Sequence, residues 1–190
     1  MPAHDRLLTL LAERSARRGH FILASGREST LYIDARLTTM SSDGLALIGP
    51  LALEALERAA WDISAIGGLT LGADPVSYAI AYASASTSRP LRAFTVRKEP
   101  KVHGTGRLIE GPFQIGDRVA VVEDVITTGG SALRAVDAIQ VAGGIVVGVI
   151  ALVDREEGGR EAILARGVPV LCLTNAQEIM ARTLATPSVE

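Results

Sequence analysis

The chain has 190 residues, 48% of them apolar but only 4% aromatic, and a formal net charge of −2. That length supports one well-buried core and is too short for two large ones. The charge excludes the globally basic surface of a non-specific nucleic-acid binder.

Residues 4–18 place Leu7, Leu8, Leu10 and Leu11 beside Arg6, Glu13, Arg14, Arg17 and Arg18, the pattern of an amphipathic helix stopped by Gly19. Phe21–Leu23 and Leu31–Ile33 read as two short strands joined through Ser25-Gly26-Arg27-Glu28-Ser29, a hairpin outside the main sheet. Residues 41–60 are helical in pattern, with Ser41, Ser42 or Asp43 as caps and Pro50 predicting a kink or a late start. Ile63–Ile66 is a predicted strand and Gly67–Gly72 a loop. Asp74-Pro75 then opens a helix as N-cap and first residue.

Leu91–Val96 is the next strand, followed by the polar run Arg97–Gly106 and a return at Arg107–Glu110. Val119–Val122 and Ile145–Val153 are apolar and β-branched, as strands buried on both faces are. The helix between them ends at Gly143-Gly144. After the polar loop 154–159 come a short helix, the strand Val168–Leu173 and a C-terminal helix. Strands alternating with helices predict an α/β fold, a doubly wound and mainly parallel sheet flanked by helices. Residues 1–40 would form a small N-terminal hood and 41–180 the core of a single domain. In such a sheet ligands gather beyond the carboxyl ends of the strands, so loops 67–73, 97–106, 123–131 and 154–159 should surround one crevice.

Cys172 is the only cysteine, which rules out an intramolecular disulfide, and its apolar setting predicts a buried structural thiol. No apolar run approaches the roughly 18 residues of a membrane span, and no signal core opens the chain. The expectation is a soluble, cytoplasmic protein without membrane or nucleic-acid partners. Seventeen of the 19 cations are arginine, and the only lysines, Lys98 and Lys101, share one four-residue window. A need for compact ammonium groups explains that restriction better than chance. His4 and His20 have no partner pattern and read as surface residues.

The most informative segment runs from Val121 to Ala132. Two adjacent acids, Glu123 and Asp124, sit where a buried strand meets solvent, and Val125-Ile126-Thr127-Thr128-Gly129-Gly130-Ser131 leads into a helix. Free N–H groups at the helix start, with the hydroxyls of Thr127, Thr128 and Ser131, suit a phosphate dianion. Glu123 and Asp124 lie within reach of ribose hydroxyls or of a bridging Mg²⁺. Competing phosphate motifs are absent: there is no Gly-x-x-x-x-Gly-Lys-Ser/Thr, and Gly104-Thr105-Gly106 lacks the third glycine of a dinucleotide fingerprint.

This segment resembles the phosphoribosyl-pyrophosphate (PRPP) signature of the type I phosphoribosyltransferases. Three further blocks narrow the resemblance to orotate phosphoribosyltransferases: Phe21–Ser29 with Tyr32-Ile33-Asp34, Arg97–Gly106 with Glu110-Gly111, and Ala151–Gly159. The resemblance implies transfer of the 5-phosphoribosyl group from PRPP to orotate, giving orotidine 5′-monophosphate and pyrophosphate in pyrimidine synthesis. It implies a homodimer whose mobile 97–106 loop closes over the neighbouring site, and Mg²⁺ held mainly by PRPP, with Glu123 or Asp124 as a further ligand. Arg97, Lys98, Lys101 and His103 would meet the diphosphate, with Lys101 at the leaving group. Glu123 and Asp124 would orient the ribose and residues 125–131 hold the 5′-phosphate. Arg155 would pair with the orotate carboxylate, the alternative being a salt bridge to Asp154, Glu156 or Glu157. Thr127, Tyr32 and Ile33 would contact the base, although a Tyr-Ile pair in a strand also fits plain core.

The chain departs from some family members at Ala24 and at Leu71-Gly72, where they carry lysine; backbone N–H groups of residues 67–73 would substitute. Two rivals stand beside the orotate reading: a phosphoribosyltransferase for another base, and a non-catalytic PRPP-binding regulator.

Overall fold

The structure is a computed structural model that describes residues 1–22, 28–100 and 108–185. Helix α1 spans Ala3–Leu10 and a π-helical turn Leu11–Ser15. Leu7, Leu8, Leu11, Ala12 and Ser15 are buried at helical spacing. The predicted helix therefore ends three residues early. Strand β1, Ala16–Ile22, takes up Arg17, Arg18 and Gly19 and pairs antiparallel with β2, Glu28–Ile33. Pairing with β2 satisfies backbone groups that a further helical turn would have left facing solvent, and the exposed arginines suit either conformation. The hairpin is separate from the main sheet, as predicted.

A four-residue helix α2, Arg36–Thr39, was not foreseen. Helix α3 follows at Ser42–Arg58, capped by the Ser41 side chain, which accepts from the Gly44 N–H at 3.2 Å. Pro50 does not delay its start, because the proline and Ala46 lie on the exposed face where water reaches the unpaired carbonyl.

Strand β3 is Ala65–Leu69, two or three residues later than predicted, so Gly67 and Gly68 belong to the strand. Their type reflects crowding: a Cβ on Gly67 would overlap the Phe94 carbonyl, and one on Gly68 the Val122 carbonyl. Helix α4, Ala73–Ser84, opens after Gly72 with no side-chain cap. Pro75 thus falls third rather than first in the helix, still within the first turn, where no intrahelical N–H is required. Asp74 turns instead to the hydroxyls of Thr70 at 2.6 Å and Thr95 at 2.8 Å.

Strands β4 (Arg92–Val96) and β5 (Ile109–Glu110) pair antiparallel. The strand β6, Arg118–Ile126, continues past the expected end at Val122 and carries both acids within it. Pairing with β7, Ile145–Asp154, extends to Ile126↔Asp154 and accounts for the extra length. Helix α5 is Gly130–Val141, α6 Gly159–Ala165, β8 Val170–Asn175 and α7 Ala176–Ala185. The six-stranded sheet has the order β5-β4-β3-β6-β7-β8, parallel except for β5. The chain winds outward in both directions from β3 and β6, so the switch point lies between their carboxyl ends.

Alternation along the strands builds two cores. Ile66, Ala120, Val122, Ile150 and Leu152 pack with α1, α3, α4 and α7 on one face. Ala65, Val119, Val121, Val149 and Ala151 pack with α5 and α6 on the other. Among the described residues, no helix is long and apolar enough to cross a membrane. Cys172 is half-buried rather than fully enclosed, and burial pushes its thiol up to about 12, consistent with an inert structural role.

Phe94 is 1% exposed and packs edge-on to Phe113 at a ring distance of 5.3 Å. Phe94→Ala should lower unfolding free energy by about 3–5 kcal/mol in urea denaturation. A loss below about 1 kcal/mol would show that this ring does not anchor β4.

Candidate active site

A cavity of about 630 Å³ opens beyond the carboxyl ends of β3 and β6, at the switch point. Its walls come from β2 and the segment after it, the 69–72 turn, Lys98, the end of β6, the turn into α5 and the loop after β7. All four predicted loops thus contribute.

Glu123 and Asp124 stand near the carboxyl end of β6, and both line the cavity. Glu123 is 6% exposed. Burial, then the adjacent Asp124 charge and a hydrogen bond to it, hold the Glu123 proton well above the usual carboxyl range. Asp124 accepts from the Val125 N–H at 2.9 Å and lies against Gly72, where a Cβ would come within 2.5 Å of its carboxylate. A side chain at position 72 would make the Asp124 carboxylate shift from this position.

Thr127, Thr128 and Ser131 line the next wall. Gly129 precedes α5 at φ +79, a left-handed conformation that favours glycine. A Cβ there would also strike the Gly159 carbonyl at 2.7 Å, so the turn into α5 packs directly on the loop before α6. The open first turn of α5 leaves backbone N–H groups beside three hydroxyls, an arrangement suited to a phosphate. Val125 lines the cavity, whereas Ile126 is buried core and Gly129 and Gly130 shape the turn from behind.

Arg155 is buried, yet its side chain reaches the cavity wall. Its Nη2 donates to the Leu31 carbonyl at 2.9 Å and to Glu157 Oε1 at 2.7 Å. Of the three acids proposed as salt-bridge partners, Glu157 is the one engaged. Asp154 instead accepts from the Glu156 N–H. Tyr32 and Ile33 line the same wall; Ile33 is core and Tyr32 is 40% exposed, with its ring 5.6 Å from that of Phe21.

Lys98 lines the cavity, and its carbonyl accepts from Arg134 Nη2 at 3.0 Å. Arg97 does not line it: its guanidinium faces Glu110 at 3.8 Å and the Glu99 carbonyl at 3.3 Å. Lys101 and His103 lie outside the described residues, as does Ala24. Arg36, to which the sequence pattern gives no role, lines the cavity together with Asp34 and Glu157. Arg36 is one of 17 arginines and no local pattern sets it apart; only the Asp34-x-Arg36 spacing at a strand end could have marked it. His4 is not simply a surface residue, since its Nε2 meets the Leu173 carbonyl at 2.9 Å.

Among the described residues no cluster of three metal-ligating side chains occurs. A carboxylate pair alone suits Mg²⁺, which keeps several waters and binds through one or two carboxylates plus substrate phosphates. Burial, which raises the Glu123 carboxyl, makes it the poorer ligand of the two, so Asp124 fits better.

No family model matches the chain. It is 46% identical over 183 residues to an orotate phosphoribosyltransferase of Aquifex aeolicus, covering 95% of this chain and 99% of the relative. It is 47% identical over 178 residues to one of Sorangium cellulosum, covering 93% and 92%. The crystal structure of Mycobacterium tuberculosis orotate phosphoribosyltransferase in complex with PRPP superimposes with a TM-score of 0.79 at 44% identity, covering 94% and 99%.

Glu123 also predicts a pH signature. Its folded pKa is raised, so its contribution to stability is complete below the unfolded value of about 4.3 and is lost as pH rises through the folded value. Between those two values wild-type stability should fall relative to Glu123→Gln by about 1.4 kcal/mol per pH unit, measured by urea denaturation across pH. A flat or rising difference would mean that Glu123 is ionised in the folded protein.

Proposed function

The chain belongs to the orotate phosphoribosyltransferase family, and we propose from that premise that it transfers the 5-phosphoribosyl group of PRPP to orotate. The products are orotidine 5′-monophosphate, on the route to UMP, and pyrophosphate. The observation that carries this reading is one cavity lined by a phosphate cradle, an acidic pair and an arginine that already holds a carboxylate.

In the reaction the bond between ribose C1 and the diphosphate oxygen breaks, a bond from orotate N1 to C1 forms, and the N1 proton leaves with the departing diphosphate. Positive charge develops on the ribose and negative charge on the leaving group. The protein's task is therefore orientation and preorganised charge. Thr127, Thr128, Ser131 and the first turn of α5 bind the 5′-phosphate, with Val125–Gly130 shaping the turn. Asp124 orients the ribose hydroxyls, and Glu123, keeping its proton, donates toward Asp124 or a hydroxyl. Asp124 carries the negative charge that favours the developing cation.

Lys98 faces the diphosphate, and Lys101 and His103 join it, with Lys101 at the departing oxygen. Arg97 serves that group only by leaving Glu110. Asp124 would hold a Mg²⁺ brought by PRPP, which would supply charge neutralisation of the diphosphate. Arg155 reads the orotate carboxylate, since a guanidinium fork suits a planar carboxylate. Tyr32 and Ile33 cover the base and Thr127 borders it. The enzyme acts as a cytoplasmic homodimer in which the 97–106 segment of one subunit serves the site of its partner.

The deciding experiment supplies PRPP and Mg²⁺ with orotate, uracil or adenine and measures pyrophosphate release. Release with orotate alone is expected. Release only with another base would refute the orotate assignment, and no release with any base would favour a PRPP-binding regulator. Arg155→Ala should weaken orotate by ten- to more than a hundredfold, about 1.5–3 kcal/mol, while PRPP binding changes little. Arg155→Lys should restore only part. Equal losses for orotate and PRPP would assign Arg155 to the Glu157 and Leu31 contacts alone.

A further inference from the structure

We propose that Arg36 is a diphosphate-binding cation of this cavity, held in readiness by Asp34. The inference rests on the phosphoribosyl reading above. Two corners of the cavity are spoken for: the turn into α5 by the 5′-phosphate, and the wall of Arg155 and Tyr32 by the base. The lining that remains includes the Thr70–Gly72 turn, Lys98 and Arg36. A leaving group must depart from C1 on the side away from the incoming base, and this corner is what remains for it.

The turn there is short of charge. Leu71, 53% exposed, presents no cation, and Gly72 presents no side chain at all. Arg36 stands beside Leu71: both also border a shallow apolar groove with Leu37 and Met40 on the far side of the cavity rim. The Arg36 guanidinium feels the charge of Asp124 across the site.

Its geometry is that of a prepared fork. Nε donates to Asp34 Oδ1 at 2.8 Å and Nη2 to Oδ2 at 3.0 Å, a two-pronged pair that fixes the guanidinium plane. The Nη1 edge donates to no described residue. The side chain is 49% exposed, so an arriving anion can share it without burying a charge. Because the pair is this exposed, Asp34 holds Arg36 weakly and orients it more than it neutralises it. A diphosphate carries several charges and outcompetes one carboxylate.

Calorimetric titration of the full chain with magnesium pyrophosphate and, separately, with orotidine 5′-monophosphate tests this, because the nucleotide fills the other two corners only. Arg36→Gln should weaken pyrophosphate at least about tenfold and leave the nucleotide within about twofold. Arg36→Lys should recover part of the loss. Asp34→Asn removes the carboxylate that orients the guanidinium and should weaken pyrophosphate only modestly, by about two- to fivefold. Unchanged pyrophosphate binding by Arg36→Gln would overturn the inference. So would an equally large loss in Arg36→Gln and Asp34→Asn, the mark of a structural salt bridge. If the wild-type protein bound neither ligand, the phosphoribosyl reading would fall first and this inference with it.

Discussion

At Gly68 a side-chain carbon would overlap the Val122 carbonyl, and at Gly72 it would press on the Asp124 carboxylate at 2.5 Å. That close approach of β3 to β6, sustained past the end of the strands, is the constraint on which the site depends. It lets parallel strands pair in register from Ala65↔Val119 to Gly68↔Val122. It then holds the 69–72 turn against Asp124 while the chain diverges to α4 on one side and α5 on the other. The cavity is the space left by that divergence. A second glycine contact, Gly129 against Gly159, does the same for the turn into α5 and the loop after β7. Small residues thus set the distances, and the polar groups occupy what the distances leave.

The charges in this space are arranged in pairs. Burial, and then the neighbouring Asp124, raise the Glu123 carboxyl well above its usual range. Arg155 holds Glu157, and Arg36 holds Asp34. Cations already oriented by carboxylates need little rearrangement when an anionic ligand arrives, and such preorganisation is the main resource for a reaction that separates charge on a ribose. Arg155 has a second duty. Its contact with the Leu31 carbonyl ties the β1–β2 hairpin to the loop after β7, so the group proposed to read the base also fixes the wall that covers it.

Much of this was legible in the residues. The runs Val119–Val122 and Ile145–Val153 are apolar without interruption because both sheet faces are covered, and they identified the two longest strands. The acidic pair and the Thr-Gly-Ser turn marked the site because few other uses exist for those types in that order. Signals failed where one residue type serves two purposes. Gly67 and Gly68 read as loop, although their smallness serves strand packing. Arg17 and Arg18 continued a helical pattern that ends at a π-turn. Arg36 was not marked because it shares the cavity and the neighbouring groove with Leu71, a long-range fact. Lys101 and His103 lie outside the described residues, and their roles stand on the resemblance alone.

Asp124 is where the glycine constraint, the charge arrangement and the proposed chemistry meet, and Asp124→Asn is the most direct test. The substitution keeps the shape of the side chain and removes its charge. Steady-state kinetics of the forward reaction should show kcat/KM for PRPP falling tenfold or more, about 1.4 kcal/mol of transition-state stabilisation, with urea denaturation confirming a folded protein. Wild-type kinetics in that folded variant would contradict the account.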